Sequence, residues 1–249
     1  MESGRLLRNS QIIILGVCIA AATIIASVIL SQGALKLMKF THEVISVTGS
    51  AQKEIRSDYV DWTGEFTRRE PDLATAYKNL KEDLAKVKEY LKTKGVKEEE
   101  MTISPIATET IYKKNEKGND TNDIEGYRLK QSVAIRSNDV DRITAVSRES
   151  TELIDKGVQF ESYPPQFFYT KLDELKVEML AKATENAKDR AQNMAKATGN
   201  RIGFMRSARM GVFQITPVNS TEVSDWGVND TTAIDKKVTA VVTVSFSIE

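Results

Sequence analysis

From Ile12 to Leu30 the chain reads IIILGVCIAAATIIASVIL, 19 residues without a charge, inside a stretch (11–35) that holds no ionisable side chain other than Cys18. A helix of that length spans ~28 Å, close to the roughly 30 Å hydrocarbon core of a bilayer. Eleven of the 19 are Ile, Leu or Val, so transfer into lipid is favoured by roughly 3–7 kcal/mol before the small terms for Gly, Ser and Thr. A helix apolar all round has no solvent face, which argues against a place in a soluble domain. The segment is therefore expected to be a transmembrane anchor. Ile12, Leu15, Val17, Ile24, Ile25 and Leu30 belong to its apolar body, and Arg5, Arg8, Lys36 and Lys39 flank it. The rival is a cleaved signal peptide, whose apolar core is shorter, about 7–15 residues; small-residue cleavage sites near Ser31–Gly33 are poor here.

Orientation is weakly specified, because two basic residues on each side nearly cancel. A ten-residue head carrying Arg5 and Arg8 crosses less readily, so the N-terminus is expected inside and the remainder outside. Gly16/Ala20 and Ala22/Ala26 are small residues four apart, a spacing that lets two membrane helices approach. The chain thus divides into a tail (1–10), an anchor (11–35), a linker (36–43) and a soluble domain (44–249).

The soluble domain is rich in lysine and glutamate, and the whole chain balances 35 basic against 35 acidic residues. That gives no electrostatic case for nucleic acid. Its single cysteine, Cys18, lies in the apolar segment, so the soluble part has no disulfide, CxxC pair or thiolate zinc set.

Two periods alternate from Val44 onward. Ile45, Val47, Gly49 and Ala51 predict a strand near 44–51, and Val60, Trp62, Gly64 and Phe66 predict another. After Glu70-Pro71-Asp72, the residues Leu73, Tyr77, Leu80, Leu84, Val87 and Leu91 mark one face of an amphipathic helix that Gly95 closes. A strand over 102–113 leads to the polar loop KKNEKGNDTND, and a strand through Tyr127, Leu129, Val133 and Ile135 follows. Asn138 is expected to cap a second helix ending at Gly157. Residues 158–170 return to strand, broken by Pro164-Pro165, which confines them to an edge. Thr170 and Asp173 suggest a capping box for a third helix that Gly199 stops. Within it Ala183, Ala187, Ala191 and Ala195 recur every four residues. A clean alternation from Val238 to Ile248 ends the chain. The predicted fold class is α+β: antiparallel sheet covered by three helices. A faint repeat of 71–137 in 171–249 allows two similar α/β subdomains.

Chemistry is sparse. The only histidine, His42, sits in the linker with no second ligand or nucleophile beside it. No GxGxxG follows a strand, and GxxxxGK[ST] and GxSxG are missing. Carboxylates lie among lysines on helix faces, as in the i,i+4 pair Glu178–Lys182. Asp120–Gly126 lacks the spacing of an EF-hand, so a hairpin loop is expected instead. Asn119, Asn219 and Asn229 begin N-x-[ST] sequons. No catalytic residue, metal or cofactor is predicted, and the chain is read as a non-enzyme. Tyr163, Phe167, Phe168 and Tyr169 cluster beside the two prolines; they read as core or as a self-association surface, with Trp226 in a polar loop as a second candidate.

The strand VISVTGSA (Val44–Ala51) resembles the start of SIMPL domains. The helix ATENAKDRAQNMAKATG (Ala183–Gly199), the following Asn200-Arg-Ile-Gly203 and the final alternating strand are similar to the same family, over about residues 44–249. The resemblance implies an envelope protein without established enzymatic activity that forms ring- or channel-like homo-oligomers, in a family linked to oxidative-stress tolerance and surface antigenicity. Combined with the anchor, it gives an extracytoplasmic self-assembling scaffold at the cytoplasmic membrane. The alternative is a monomeric envelope sensor that binds a small ligand or a partner protein.

Overall fold

The computed structural model describes residues 3–42 and 44–248, with side chains for 14–35 and 44–248. Arg5, Arg8, Ile12, Lys36, Lys39 and His42 fall outside the residues whose side chains are described. Two compact units are present: one comprises 1–50, 181–211 and 241–249, the other 51–180 and 212–240. Three long elements contribute residues to both, β1 (Val44–Arg56), α5 (Leu172–Ala197) and β11 (Asp235–Ile248).

The larger unit is built on β2 (Tyr59–Glu70) and β5 (Asp120–Ser137), which pair antiparallel from Val60↔Ser137 to Glu70↔Tyr127. Beyond β5 lie β3 (Met101–Ile103) and β4 (Ala107–Lys114); beyond β2 lie β6 (Gln159–Ser162) and β7 (Gln166–Phe168). Each outer row is split at proline, Pro105 on one side and Pro164-Pro165 on the other, because a ring nitrogen has no hydrogen to give the ladder. The Pro164-Pro165 break and its edge position are as the sequence predicts. The break at Pro105 divides a strand expected to be continuous.

Val60, Trp62 and Phe66 of β2 and Leu129, Val133 and Ile135 of β5 form the core with Ala76, Leu80, Val87 and Leu91 of α2 (Leu73–Thr93) and Ile143 and Val146 of α3 (Val140–Glu149). Gly64 leaves room for the Phe160 ring, whose Cζ would lie 2.1 Å from a Cβ there. The buried Trp62 indole donates to Ser162 Oγ (3.0 Å), which donates on to Ser147 O (2.8 Å).

Helix ends follow simple chemistry. Asp72 caps α2 by accepting from Thr75 N at 2.8 Å. Gly95, Gly157 and Gly199 each follow a helix with φ near +80°, where a Cβ would be strained. Asp139, not Asn138, caps α3, accepting from Arg142 N at 3.1 Å, while Asn138 Nδ2 donates to Asp58 O. The helix expected to run to Gly157 breaks into α3 and a single turn, α4 (Glu152–Asp155). Thr170 makes no cap of the kind expected: its hydroxyl donates to Asp58 Oδ2. The polar loop expected from 113 is largely sheet, since β4 and β5 pair down to Lys114↔Asp120 and only 115–119 turn the chain. Asp120–Gly126 is thus strand. The remaining strands of this unit, β9 (Gln214–Pro217) and β10 (Val228–Asn229), run parallel to each other, a departure from the all-antiparallel expectation; β9 pairs antiparallel with the first half of β11.

The smaller unit contains α1 (Ser3–His42), the start of β1, the end of α5, β8 (Ile202–Met210) and the end of β11. β8 pairs antiparallel with β11. Ala183, Ala187, Ala191 and Ala195 of α5 are all buried, as their spacing predicts, whereas Met194 is exposed. The helix lies so close to β1 that a Cβ on Gly49 would fall 2.3 Å from Ala183 O and 2.4 Å from Ala187 N. Two backbone groups of β1 are met by α5 side chains: Ser50 N donates to Asn186 Oδ1 (3.1 Å) and Thr48 O accepts from Arg190 Nη1 (3.0 Å). On β1 and β11, Thr48 and Thr243 hydroxyls, and those of Ser46 and Ser245, meet at 3.2 Å.

Candidate functional site

The buried charges are the natural place to look for chemistry, and each is tied into the scaffold of the larger unit. Lys236 on β11 is buried, and its Nζ donates to Phe167 O and Asp230 O, both at 2.6 Å. Burial pushes its pKa down, and the nearby Asp230 carboxylate works the other way. Burial pushes Asp230 up, but bonds from the Thr232 hydroxyl and the Ala233 and Thr232 backbone, with Lys236 nearby, outweigh it and leave the carboxyl below its usual range. The ammonium thus pins β7 and the loop before β11.

Asp83, fully buried on α2, takes two bonds from the Arg68 guanidinium, one of them Nη2 to Oδ1 at 2.8 Å; the same Nη2 donates to Gly157 O. The bond to Asp83 raises the Arg68 pKa further. Arg142 likewise joins Glu100 (2.9 Å), Asp139 (3.0 Å) and Gly95 O (2.5 Å). Glu178 on α5 also bonds Lys53 Nζ on β1 at 2.7 Å. Ions bound this fully to carbonyls and counter-charges act as fasteners. Among the described residues no group of three or more His, Cys, Asp and Glu is placed to hold a metal ion.

The aromatic residues beside the prolines do not form one surface. Phe167 is buried in the core and Cα-paired with Val60, Phe168 and Tyr169 are half-buried, and Tyr163 is exposed. Alternation across the Pro-Pro break decides which ring faces inward. Trp226 is 94% exposed at the end of the loop after β9, with Val223 exposed beside it. Phe204, Met205 and Met210 on β8 are further exposed apolar residues; they escape sequence reading because FMRSARM has no clean alternation.

A second unpredicted feature lies at the start of α2. Its apolar stripe is uniform in sequence, yet Leu73 and Tyr77 overhang while Leu80, Val87 and Leu91 are buried. They border an open, mainly apolar groove of about 630 Å³ with Ala74, Ile106, Thr108 and Leu129.

In α1, Ile14–Leu35 is 22 residues long with a mean hydropathy of 2.5, and none of it is buried. It is the one helix among the described residues long and apolar enough to cross a membrane; a signal sequence meets the same description. Leu15, Val17, Ile24, Ile25 and Leu30 are all exposed on it, as is Cys18.

No curated protein matches the chain in sequence. The family model named SIMPL, described as a protein of unknown function (DUF541), matches residues 45–246, which is most of the chain and takes in the strands and helices after α1 apart from the first residue of β1 and the last two of β11. With first strand, alanine-striped helix and final strand all inside that match but for those residues, the chain belongs to the SIMPL family.

Proposed function

We propose that the protein is a membrane-tethered scaffold on the outer face of the cytoplasmic membrane that works by associating with copies of itself. One observation carries the reading: a fully exposed apolar helix precedes a domain that leaves a tryptophan and several other large apolar side chains in water. Solvated apolar surface of that kind marks interaction sites, and copies held in one plane meet at raised effective concentration. The buried charges, each committed to a structural bond, support a role without catalysis. A closed ring or channel, and a connection to stress, are the finer forms that the family resemblance suggests.

The test is the mass of the full chain extracted in detergent, measured by light scattering and crosslinking across a concentration series. Discrete assemblies above the monomer are expected. Monomer at every concentration refutes the reading and favours a monomeric sensor, for which the groove beside α2 is the natural ligand site.

A further inference from the structure

Trp226 and the α2 groove are complementary features of the same unit. The indole is 94% exposed, so it does not occupy the groove of its own chain. The loop that carries it is acidic: between Val212 and Ile234 the sequence holds Glu222, Asp225 and Asp230 and no lysine or arginine. The groove is mainly apolar, lined by Leu73, Tyr77, Ile106 and Leu129 among others. Lys78 and Lys81 follow Tyr77 on α2, both exposed and neither in an ion pair among the described residues. The one acid lining the groove, Asp72, is already engaged by Thr75 N and Oγ1.

We infer that the groove beside α2 receives Trp226 from a second copy of this chain. The indole lies against Leu73, Tyr77 and Ile106, and Glu222 and Asp225 come to rest near Lys78 and Lys81. An aromatic side chain contributes ~150–250 Å² of buried area, and anchors of this type dominate interface energetics. Knob and groove are different surfaces, so the contact is head-to-tail: a pair keeps one free groove on one copy and one free knob on the other for the next copies. This inference rests on the self-association proposed above and names the surface that brings it about.

The protein carries its own reporter. Its two tryptophans are opposites, Trp62 with no exposed surface and Trp226 almost wholly exposed. In the full chain at constant detergent, raising the concentration is expected to shift emission to the blue and protect one tryptophan from acrylamide, in step with the light-scattering mass. Trp226→Ala and Tyr77→Glu are each expected to raise the half-assembly concentration by roughly 30-fold, the scale of a buried tryptophan hot spot. Both change exposed side chains, and Trp62 emission reports that the fold persists.

Mixing the two variants is the sharper test, because one retains the groove and the other the knob. A 1:1 pair that grows no further is expected. Assembly with Trp226 still fully quenchable overturns the inference while leaving self-association intact. So does protection that depends on detergent or lipid rather than protein concentration, which would put the indole in the membrane interface. A wild-type chain that stays monomeric removes both.

Discussion

The closest approach in the smaller unit makes the sharpest stability prediction. In Gly49→Ala the new Cβ lies 2.3 Å from Ala183 O, 2.4 Å from Ala187 N and 2.7 Å from Ala187 Cα. Ordinary contact begins at 3.4 Å, so the shortfall is about 1 Å. All three atoms are backbone of a 26-residue helix, so no side-chain rotation relieves them. The helix must lift, loosening Ala183 and Ala187 from the strand. Overpacking of this kind costs ~3 kcal/mol at the upper end of its range. Replacing glycine within a strand returns roughly 0.5–1 kcal/mol, leaving a net loss of about 2–2.5 kcal/mol, or ~4–10 °C in Tm for a chain of this size. Urea unfolding of the full chain in detergent, followed by circular dichroism, reads it. Gly211→Ala, where the nearest atom is Val241 O at 3.2 Å, is the control and should change stability by under ~1 kcal/mol. Adding Ala187→Gly should bring no rescue, because the clash is with backbone. A Gly49→Ala protein within ~0.5 kcal/mol of wild type refutes the close-packing argument.

Three further outcomes follow from the buried charges. Asp83→Asn leaves the Arg68 guanidinium without its counter-charge and should cost ~2–4 kcal/mol in urea unfolding, less than a wholly buried pair because Arg68 keeps 26% side-chain exposure; a cost under ~1 kcal/mol contradicts this. Lys236→Met strands the carbonyls of Phe167 and Asp230 and should lose ~2–4 kcal/mol, whereas unchanged stability would mean that the ammonium fastens nothing. Asp139 is held below the usual carboxylate range first by the Arg142 side chain and then by its backbone. Glu100 is pushed up by burial, but bonds from Ser137, Lys97 and Arg142 hold it below its usual range. Folded values below unfolded ones mean stabilisation that is complete above about pH 5 and lost as pH falls through the folded pKa values. Arg142→Gln should therefore flatten stability between roughly pH 5 and 2, and an unaltered acid profile would show that Arg142 does not set these carboxyls.

Much of the scaffold is legible in the sequence because one-sided burial leaves a period. Val238, Ala240, Val242, Val244 and Phe246 are all buried, and the alanines of α5 identify the helix face that lies against the strand. The start of β5 is illegible for the converse reason. Asp120–Glu125 are mostly exposed, so no alternation is imposed, and Asp, Thr and Asn there read as loop. The helix cap is misplaced by one residue because Asn138 and Asp139 are both good caps, and only the tertiary bond from Asn138 to Asp58 O separates them. The groove is illegible because Leu73 and Tyr77 carry the same spacing as the buried members of their stripe. Where a helix outruns the sheet it covers is a tertiary fact. The lone tryptophan in a polar loop, by contrast, is visible to composition alone.

The anchor helix has a mechanical consequence. The segment assigned to a linker is helical through His42, and strand begins at Val44. His42 lies ~10 Å along the helix axis from Leu35, where the apolar span ends. In a chain anchored as proposed above, that continuous helix fixes a rise of about 10 Å between the apolar span and His42, where an irregular linker would fix none. Every copy in one leaflet makes the same rise, and confinement to one plane raises the effective concentration at which a weak contact between copies can form.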